Sequence, residues 1–368
     1  MKKTELAVIG AGPAGLCAAI EAAKNGVDVT VFDENLKPGG QLFKQIHRFF
    51  GSEEHMAGIR GFDIGNILLE DAKKYKVKVL LNNIVWGLFP DLKLGISNGK
   101  SVEIYQANKI VIAAGAMENS LSFPGWTLPN IMGAGAAQTM INVNRILPGK
   151  KVVTIGSGNV GLIVSYQLIQ AGAEVVAVVE ALPKIGGYQV HGSKITRMGI
   201  PILTNHTITG ADGENSVEKV TIAKVDNKFN VIKGSGFKLD TDLVCIAVGL
   251  RPMAELCWMV GVKSIYISGL GGHIPIHDEN MQTTLPGVYI AGDVTGIEEA
   301  STAMEEGKLA GIAISIALGK IGKKDGENKI KEANARLVSL RLGPFGYERQ
   351  KAKDTIINNY HTYMRGMK

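Results

Sequence analysis

Apolar residues gather along this chain in short runs, each closed by small residues and followed by a stretch of helical periodicity. Residues 5–9 (Glu-Leu-Ala-Val-Ile) read as a buried strand, 16–24 as the helix after it, and 27–32 as a second strand. The same order returns in mid-sequence, with a strand at 151–155, a helix at 162–170 and a strand at 174–179. Further apolar runs at 109–112, 242–248 and 288–291 predict strands, and residues 62–74 and 297–318 predict helices. Strands that alternate with helices build parallel sheets covered on both faces. The expected fold class is α/β, with two Rossmann-like dinucleotide-binding domains.

The turns between these strands and helices carry the candidate chemistry. Gly10-Ala-Gly12-Pro13-Ala14-Gly15 and Gly156-Ser-Gly158-Asn159-Val160-Gly161 share the GxGxxG spacing. The first glycine permits a tight turn, the second lets backbone approach a pyrophosphate, and the third lets helix and strand pack closely. The phosphates then face the positive end of the helix and its free N–H groups. Asp33 ends the second strand 18 residues after Gly15, with Glu34 beside it, and Glu180 lies 19 residues after Gly161. An acid there accepts hydrogen bonds from an adenosine ribose. At Glu180 a carboxylate suits a free 2′-hydroxyl and repels a 2′-phosphate, which predicts NAD(H) over NADP(H). His191, Lys194 and Arg197, spaced i, i+3, i+6 on a predicted helix, are either phosphate contacts or solvated helix charges.

A third signature assigns the first loop its cofactor. Residues 109–116 (Lys-Ile-Val-Ile-Ala-Ala114-Gly115-Ala) end a strand in small residues that let the chain cross close to a ligand. Residues 283–293 read Thr-Thr-Leu-Pro-Gly-Val-Tyr-Ile-Ala-Gly292-Asp293. A carboxylate at that strand end can hold ribityl hydroxyls, while the next helix turns its N-terminus to a flavin's pyrimidine side. FAD is therefore expected in the first domain. No acid–base residue is required for hydride transfer itself, so no catalytic side chain is named.

Composition narrows the rest. At 368 residues the chain is long enough for two or three domains. Its 46 glycines exceed the usual share of about 7%, and they lie at strand–helix turns. Cys17, Cys245 and Cys257 form no CxxC and no metal-ligand cluster, which predicts buried thiols and no metal. The odd cysteine count and the lack of a signal segment predict a reducing, cytoplasmic setting. No apolar run approaches the roughly 18 residues of a membrane helix, so no membrane insertion is expected. The net charge is +6, and residues 320–368 alone hold 12 Lys and Arg against 5 Asp and Glu. The basic balance belongs to that tail, and a nucleic-acid partner gains no support from it. The predicted helix 297–318 already closes the domain, so the tail reads as an extension. It is either a solvated face or a docking surface for an acidic partner, with Phe345 and Tyr347 as anchors. The segment from Phe43 to Arg60, with His47, Arg48, Phe49, Phe50 and His55, is either a cover for the flavin or an ordinary surface loop.

With these motifs in place, the chain resembles the two-dinucleotide-binding flavoprotein superfamily that includes thioredoxin reductase, over essentially its full length. The strings PGGQL (38–42), VIAAGA (111–116), VGLRP (248–252) and the closing Gly-Asp carry the resemblance. It implies that Gly39, Gly40 and Gln41 run along the flavin. Disulfide reductases of the thioredoxin reductase kind place CxxC just before the second glycine loop. Residues 129–140 hold no cysteine there, and dithiol chemistry needs an attacking and a resolving thiol, so the expectation is that this chain is not a disulfide reductase. More narrowly, the strings PGGQLFKQIHRFFGS, GAMENSLSFPGWTLPNIMGAGAAQ and EALPKIGGYQVHGSKITRMGIPILTNHTI resemble the alpha-type flavoprotein subunits of multi-subunit amine and imino-acid dehydrogenases. That group includes the corresponding chains of dye-linked L-proline dehydrogenase, opine oxidase, hydrogen cyanide synthase and sarcosine oxidase.

The resemblance implies an FAD domain of residues 1–122 and 252–368, with an NAD(H) domain of 123–251 inserted. It also implies an oligomer in which a second flavoprotein subunit oxidises the amine and this chain relays electrons. Several relatives carry a cysteine-rich iron–sulfur domain. No cysteine follows Cys257 here, so any such centre, or another electron acceptor, would sit on a separate chain. A stand-alone NADH-dependent reductase or NADH oxidase is the rival reading, and a structural chain that binds nucleotides without turnover is a third.

Overall fold

The computed structural model describes residues 1–49, 52–342 and 346–367. Phe50 and Phe345, both singled out from sequence, lie outside the described residues. The chain divides into two compact units, one of Met1–Met117 with Arg251–Lys368 and one of Glu118–Leu250. The fold is α/β, and both units are Rossmann-like.

The first unit is built on a seven-stranded sheet. Its parallel part runs Lys78–Leu80, Val29–Phe32, Lys2–Ile9 and Val102–Ile112, with Val288–Ile290 also parallel to Val102–Ile112. Lys93–Ser97 and Ile84–Phe89 continue it antiparallel. The strand Lys2–Ile9 is buried on both faces, as central parallel strands are. Leu6 and Val8 join the core under helices Pro13–Lys24 and Ala300–Ala317, while Ala7 and Ile9 join the opposite one. Those two helices meet through glycine. A Cβ on Gly307 would stand 2.2 Å from the Ala14 carbonyl oxygen, and one on Gly311 2.6 Å from that of Ala18. No other residue type permits so close an approach. The hairpin Ser264–Ile267 with Gly272–Pro275 adds a small antiparallel layer.

The tail differs from its sequence reading. Helices Lys323–Leu340 and Gly346–Gly366 bury Ala333, Leu337, Ile356 and Tyr360, together with the side chains of Arg341 and Lys353. A domain closed without these helices would expose the faces they cover. The expectation that the helix 297–318 already closes the domain is therefore corrected.

The second unit carries a five-stranded parallel sheet in the order Ile202–Thr204, Glu174–Glu180, Lys151–Ile155, Leu243–Ile246, Ile131–Gly133. Helix Asn159–Gln170 follows the central strand, and Gln189–Arg197 follows Glu174–Glu180. An antiparallel sheet of His206–Asp212, Lys219–Lys224 and Phe237–Asp240 completes it. Ile208, Val220 and Ile222 give that sheet its buried face, too sparse a pattern for the sequence reading to register.

Candidate nucleotide-binding sites

Four separate segments of the first unit meet at the N-terminus of helix Pro13–Lys24. Gly10 has φ +100°, and a Cβ there would stand 2.3 Å from the Ala113 carbonyl oxygen, so the strand end leading to Ala114 and Gly115 crosses against the loop. The Gly39 N–H donates to Ala11 O at 2.6 Å, and a Cβ on Gly40 would lie 3.0 Å from Gly12 Cα. From a fourth direction Gly292 arrives at φ +77°, where a Cβ would be 2.8 Å from that of Ala14. Pro13 takes the first helical position, where its missing N–H costs nothing. Asp33 is buried at the strand end: Oδ2 accepts the Ala11 N–H at 2.7 Å and Oδ1 accepts that of Asn35 at 2.8 Å. Glu34 and Gln41 are exposed.

The second unit repeats this construction. Gly156 has φ +104°, and a Cβ there would stand 2.2 Å from the Ala247 carbonyl oxygen. Glu180, also buried, accepts the Ser157 N–H at 2.9 Å and the Ser157 hydroxyl at 2.6 Å on Oε2, and the Leu182 N–H at 2.9 Å on Oε1. A glycine pair closes over this loop as Gly39-Gly40 closes over the first. The Gly187 N–H donates to Ser157 O at 2.8 Å, and a Cβ on Gly187 would lie 2.9 Å from the Asn159 nitrogen. Asn159 Oδ1 accepts the Tyr188 N–H at 2.8 Å, while Val160 is exposed. The sequence reading did not select Gly186, Gly187 or Ser157. The signal was present in the glycine pair that follows each strand-end acid, at 39–40 and at 186–187.

The glycines of each loop fall into two kinds. A Cβ on Gly15 would stand 1.9 Å from Gly10 O, and one on Gly161 2.2 Å from Gly156 O, so helix–strand packing alone demands them. Gly12 and Gly158 differ. Their φ values of −75° and −64° suit any residue. A Cβ on Gly12 would meet only Gly40 Cα at 4.0 Å, and one on Gly158 would meet nothing within 4 Å. Neither backbone strain nor packing within its unit requires glycine at these two positions. Both cap the N-terminus of a helix with no side-chain capping bond, where the first N–H groups have no partner within the helix. These cradles, which a side chain would fill, fit a dinucleotide pyrophosphate.

Electrostatics distinguish the remaining candidates. Burial pushes the Asp293 carboxyl up to about 6, reinforced by Glu306 and Glu298 and opposed by the Glu298 N–H and Lys353. Burial likewise pushes the thiols of Cys17, Cys245 and Cys257 up to about 12. All three are free and buried. Within residues 129–140, Glu118 Oε1 accepts the Gly135 N–H at 2.7 Å, and a Cβ on Gly133 would stand 2.2 Å from Oε2. His191 is buried, Lys194 lies over the Tyr166 ring at 5.4 Å, and Arg197 is exposed. Within the segment after Gln41, His55 is buried between Ser52 Oγ at 2.8 Å and Glu305 Oε1 at 3.2 Å. Among the described residues there is no cluster of His, Cys, Asp and Glu that could hold a metal, and no helix long and apolar enough to cross a membrane.

Comparison with known proteins adds four findings. Residues 4–307 match the family described as pyridine nucleotide-disulphide oxidoreductase. The chain is 28% identical to the A chain of opine oxidase from Agrobacterium tumefaciens (strain Ach5), across 90% of this chain and 69% of that one. It is 25% identical to the HcnB chain of hydrogen cyanide synthase from Pseudomonas aeruginosa, across 93% of this chain and 77% of that one. Among solved structures it is similar to T. acidophilum thioredoxin reductase, with a TM-score of 0.71 at 23% identity over 86% of this chain and 99% of that one. At that identity the likeness concerns the fold.

Proposed function

The chain belongs to the pyridine nucleotide-disulphide oxidoreductase family, a family of FAD- and NAD(P)-binding oxidoreductases, and on that premise we propose that it passes hydride between NAD(H) and FAD as the electron-relay subunit of an amine or imino-acid dehydrogenase. The observation that carries the reading is the pair Gly12 and Gly158, glycines that the fold itself does not require. In this reading the first loop, with Pro13, Ala14, Asp33, Gly39, Gly40, Ala114, Gly115, Gly292 and Asp293, holds FAD. The second, with Gly156, Asn159, Gly161 and Glu180, holds NAD(H).

When bound, the two cofactors supply the hydride chemistry, and the chain's residues bind and orient them. The N–H groups at the start of helices Pro13–Lys24 and Asn159–Gln170 take the pyrophosphates. Asp33 and Glu180, fixed by backbone donors, present their remaining lone pairs to ribose hydroxyls. Glu180 has only acceptors to offer, which favours a free 2′-hydroxyl over a phosphate. Disulfide reduction is disfavoured because the three thiols are buried and unpaired, and residues 129–140 hold no cysteine.

The relay role rests on the relatives, whose names describe component chains of opine oxidase and hydrogen cyanide synthase. Amine oxidation then belongs to a second flavoprotein chain, and any iron–sulfur centre to that or another partner, in a cytoplasmic complex. Purifying the chain alone, identifying its released cofactor and assaying NADH oxidation with an artificial dye tests the reading. NADH-to-dye activity without amine oxidation supports a relay role. Rapid NADH oxidation by oxygen or a small-molecule acceptor alone supports a stand-alone reductase.

A further inference from the structure

The basic tail lies beyond the stretch that matches the family, yet it reaches the Gly292-Asp293 loop through a buried ion cluster. Lys353, in helix Gly346–Gly366, is 2% exposed. Its ammonium donates to Thr295 O at 2.9 Å, to Thr295 Oγ1 at 2.6 Å and to Glu306 Oε1 at 2.8 Å, which spends all three N–H bonds. Arg341, just past helix Lys323–Leu340, grips both oxygens of Glu298 at 3.0 and 2.7 Å. Its Nη2 also donates to Glu306 Oε1 at 2.7 Å.

Glu306 divides its carboxylate between the two sides. Oε1 faces the tail cations. Oε2 accepts the Gly292 N–H at 3.0 Å and lies 2.8 Å from the Thr295 hydroxyl. Burial opposes its ionisation, but Lys353 and Arg341 overcome that and hold the carboxyl well below the usual range. Two carboxylates, Glu298 and Glu306, face two cations, Arg341 and Lys353, so each of these four buried charges has an opposite partner. A surface face would have left these tail cations in water.

We propose that the C-terminal extension positions the flavin-binding loop: Lys353 and Arg341 hold one oxygen of Glu306 so that the other, together with the Lys353 grip on Thr295, fixes the backbone of Gly292 and Asp293. The proposal rests on the reading of that loop as part of the FAD site. Glu306, Arg341 and Lys353 are positioning residues in it. They act through backbone and hydroxyl groups of Gly292–Thr295.

The test uses full-length K353M and R341M, with K351M, an exposed lysine of the same helix, as control. Hydrogen exchange of the Gly292–Thr295 amides in apoprotein reads the loop directly, and FAD affinity and the visible spectrum of bound flavin read the consequence. NADH affinity of the same variants monitors the second unit. Expected are faster exchange at the loop, FAD affinity weakened about tenfold or more, an altered flavin band and unchanged NADH affinity, with K351M like the parent. Folded K353M and R341M with parental loop exchange and FAD affinity would overturn the proposal. Should either single variant fail to fold, E306Q/K353M removes one charge of each sign and leaves the Arg341–Glu298 pair. Faster loop exchange in it supports the proposal, and parental exchange with parental FAD affinity contradicts it. A parent chain that takes up no FAD contradicts the FAD reading, while loop exchange still decides the positioning role.

Discussion

The Oε2 atom of Glu180 accepts the backbone N–H of Ser157 at 2.9 Å, as Oδ2 of Asp33 accepts that of Ala11 at 2.7 Å. In both units the strand-end acid thus braces the middle of the glycine loop it is read to serve. At Glu180 the bracing also fixes a negative charge at the ribose end of the second site. The expected outcome is a preference for NADH over NADPH of about a hundredfold, or ~2.7 kcal/mol. In E180Q the preference should shrink about tenfold, since a neutral amide no longer repels phosphate. Affinities of the two nucleotides, measured by flavin reduction at a series of concentrations, check this. Equal affinities in the parent would mean that Glu180 does not read the ribose.

The contrast between glycines gives a sharper mutational test. G12V should fold, with an unfolding temperature near that of parental apoprotein, and should retain no FAD. G158V should retain FAD and lose reduction by NADH. G15A should fail to fold, because its Cβ would stand 1.9 Å from Gly10 O. Absorbance of the purified variants and their thermal unfolding separate the three outcomes. Full flavin retention in G12V would contradict the assignment of the first loop.

Asp293 predicts a stability gain from a harmful substitution. Its folded pKa of about 6 lies above the ordinary 3.8, so between those values the folded chain binds more protons than the unfolded one. Its contribution therefore falls as pH rises through that window, and the cost above it is ~3 kcal/mol. His277 works in the opposite sense. Burial pushes its pKa down from 6.5 to about 4, so its contribution is present above 6.5 and lost as pH falls through about 4. The informative quantity is therefore D293N minus parent. Apo D293N should be more stable near neutral pH, with the gain vanishing towards pH 4, while FAD binds more weakly. Unfolding curves across pH check it. No stability gain would mean that Asp293 is not desolvated in solution.

The buried thiols predict chemical silence. Under native conditions a thiol reagent should label Cys17, Cys245 and Cys257 far more slowly than after unfolding, because thiolate is scarce at a pKa of about 12. NADH-dependent reduction of disulfide substrates should be absent. Rapid native labelling coupled to such activity would restore a dithiol mechanism.

Much of the parallel α/β framework was legible because its signals are local. Strand runs such as 151–155 and glycine loops such as 10–15 declare themselves within a few residues, and each acid follows at a fixed offset. The ion cluster was not legible. Lys353 stands in Arg-Gln-Lys-Ala-Lys-Asp, where nothing local separates it from exposed Lys351. Its partner Glu306 lies 47 residues away, on a helix read only for its N-terminus and for closing the domain. Gly307 and Gly311 went unnoticed for the same reason: the helix they admit is the distant Pro13–Lys24. Of the tail's basic residues, Arg341 and Lys353 are buried, where the sequence reading had only a solvated face or a docking surface for them. Sequence gives the number of charges, while burial decides what two of them do.

The most direct test of the whole account is anaerobic mixing of the purified, FAD-loaded chain with NADH in a stopped-flow instrument. The account predicts loss of the flavin's visible band at a rate that saturates with NADH, and much weaker reduction by NADPH at equal concentration. A flavin that dithionite reduces but excess NADH leaves oxidised would contradict it.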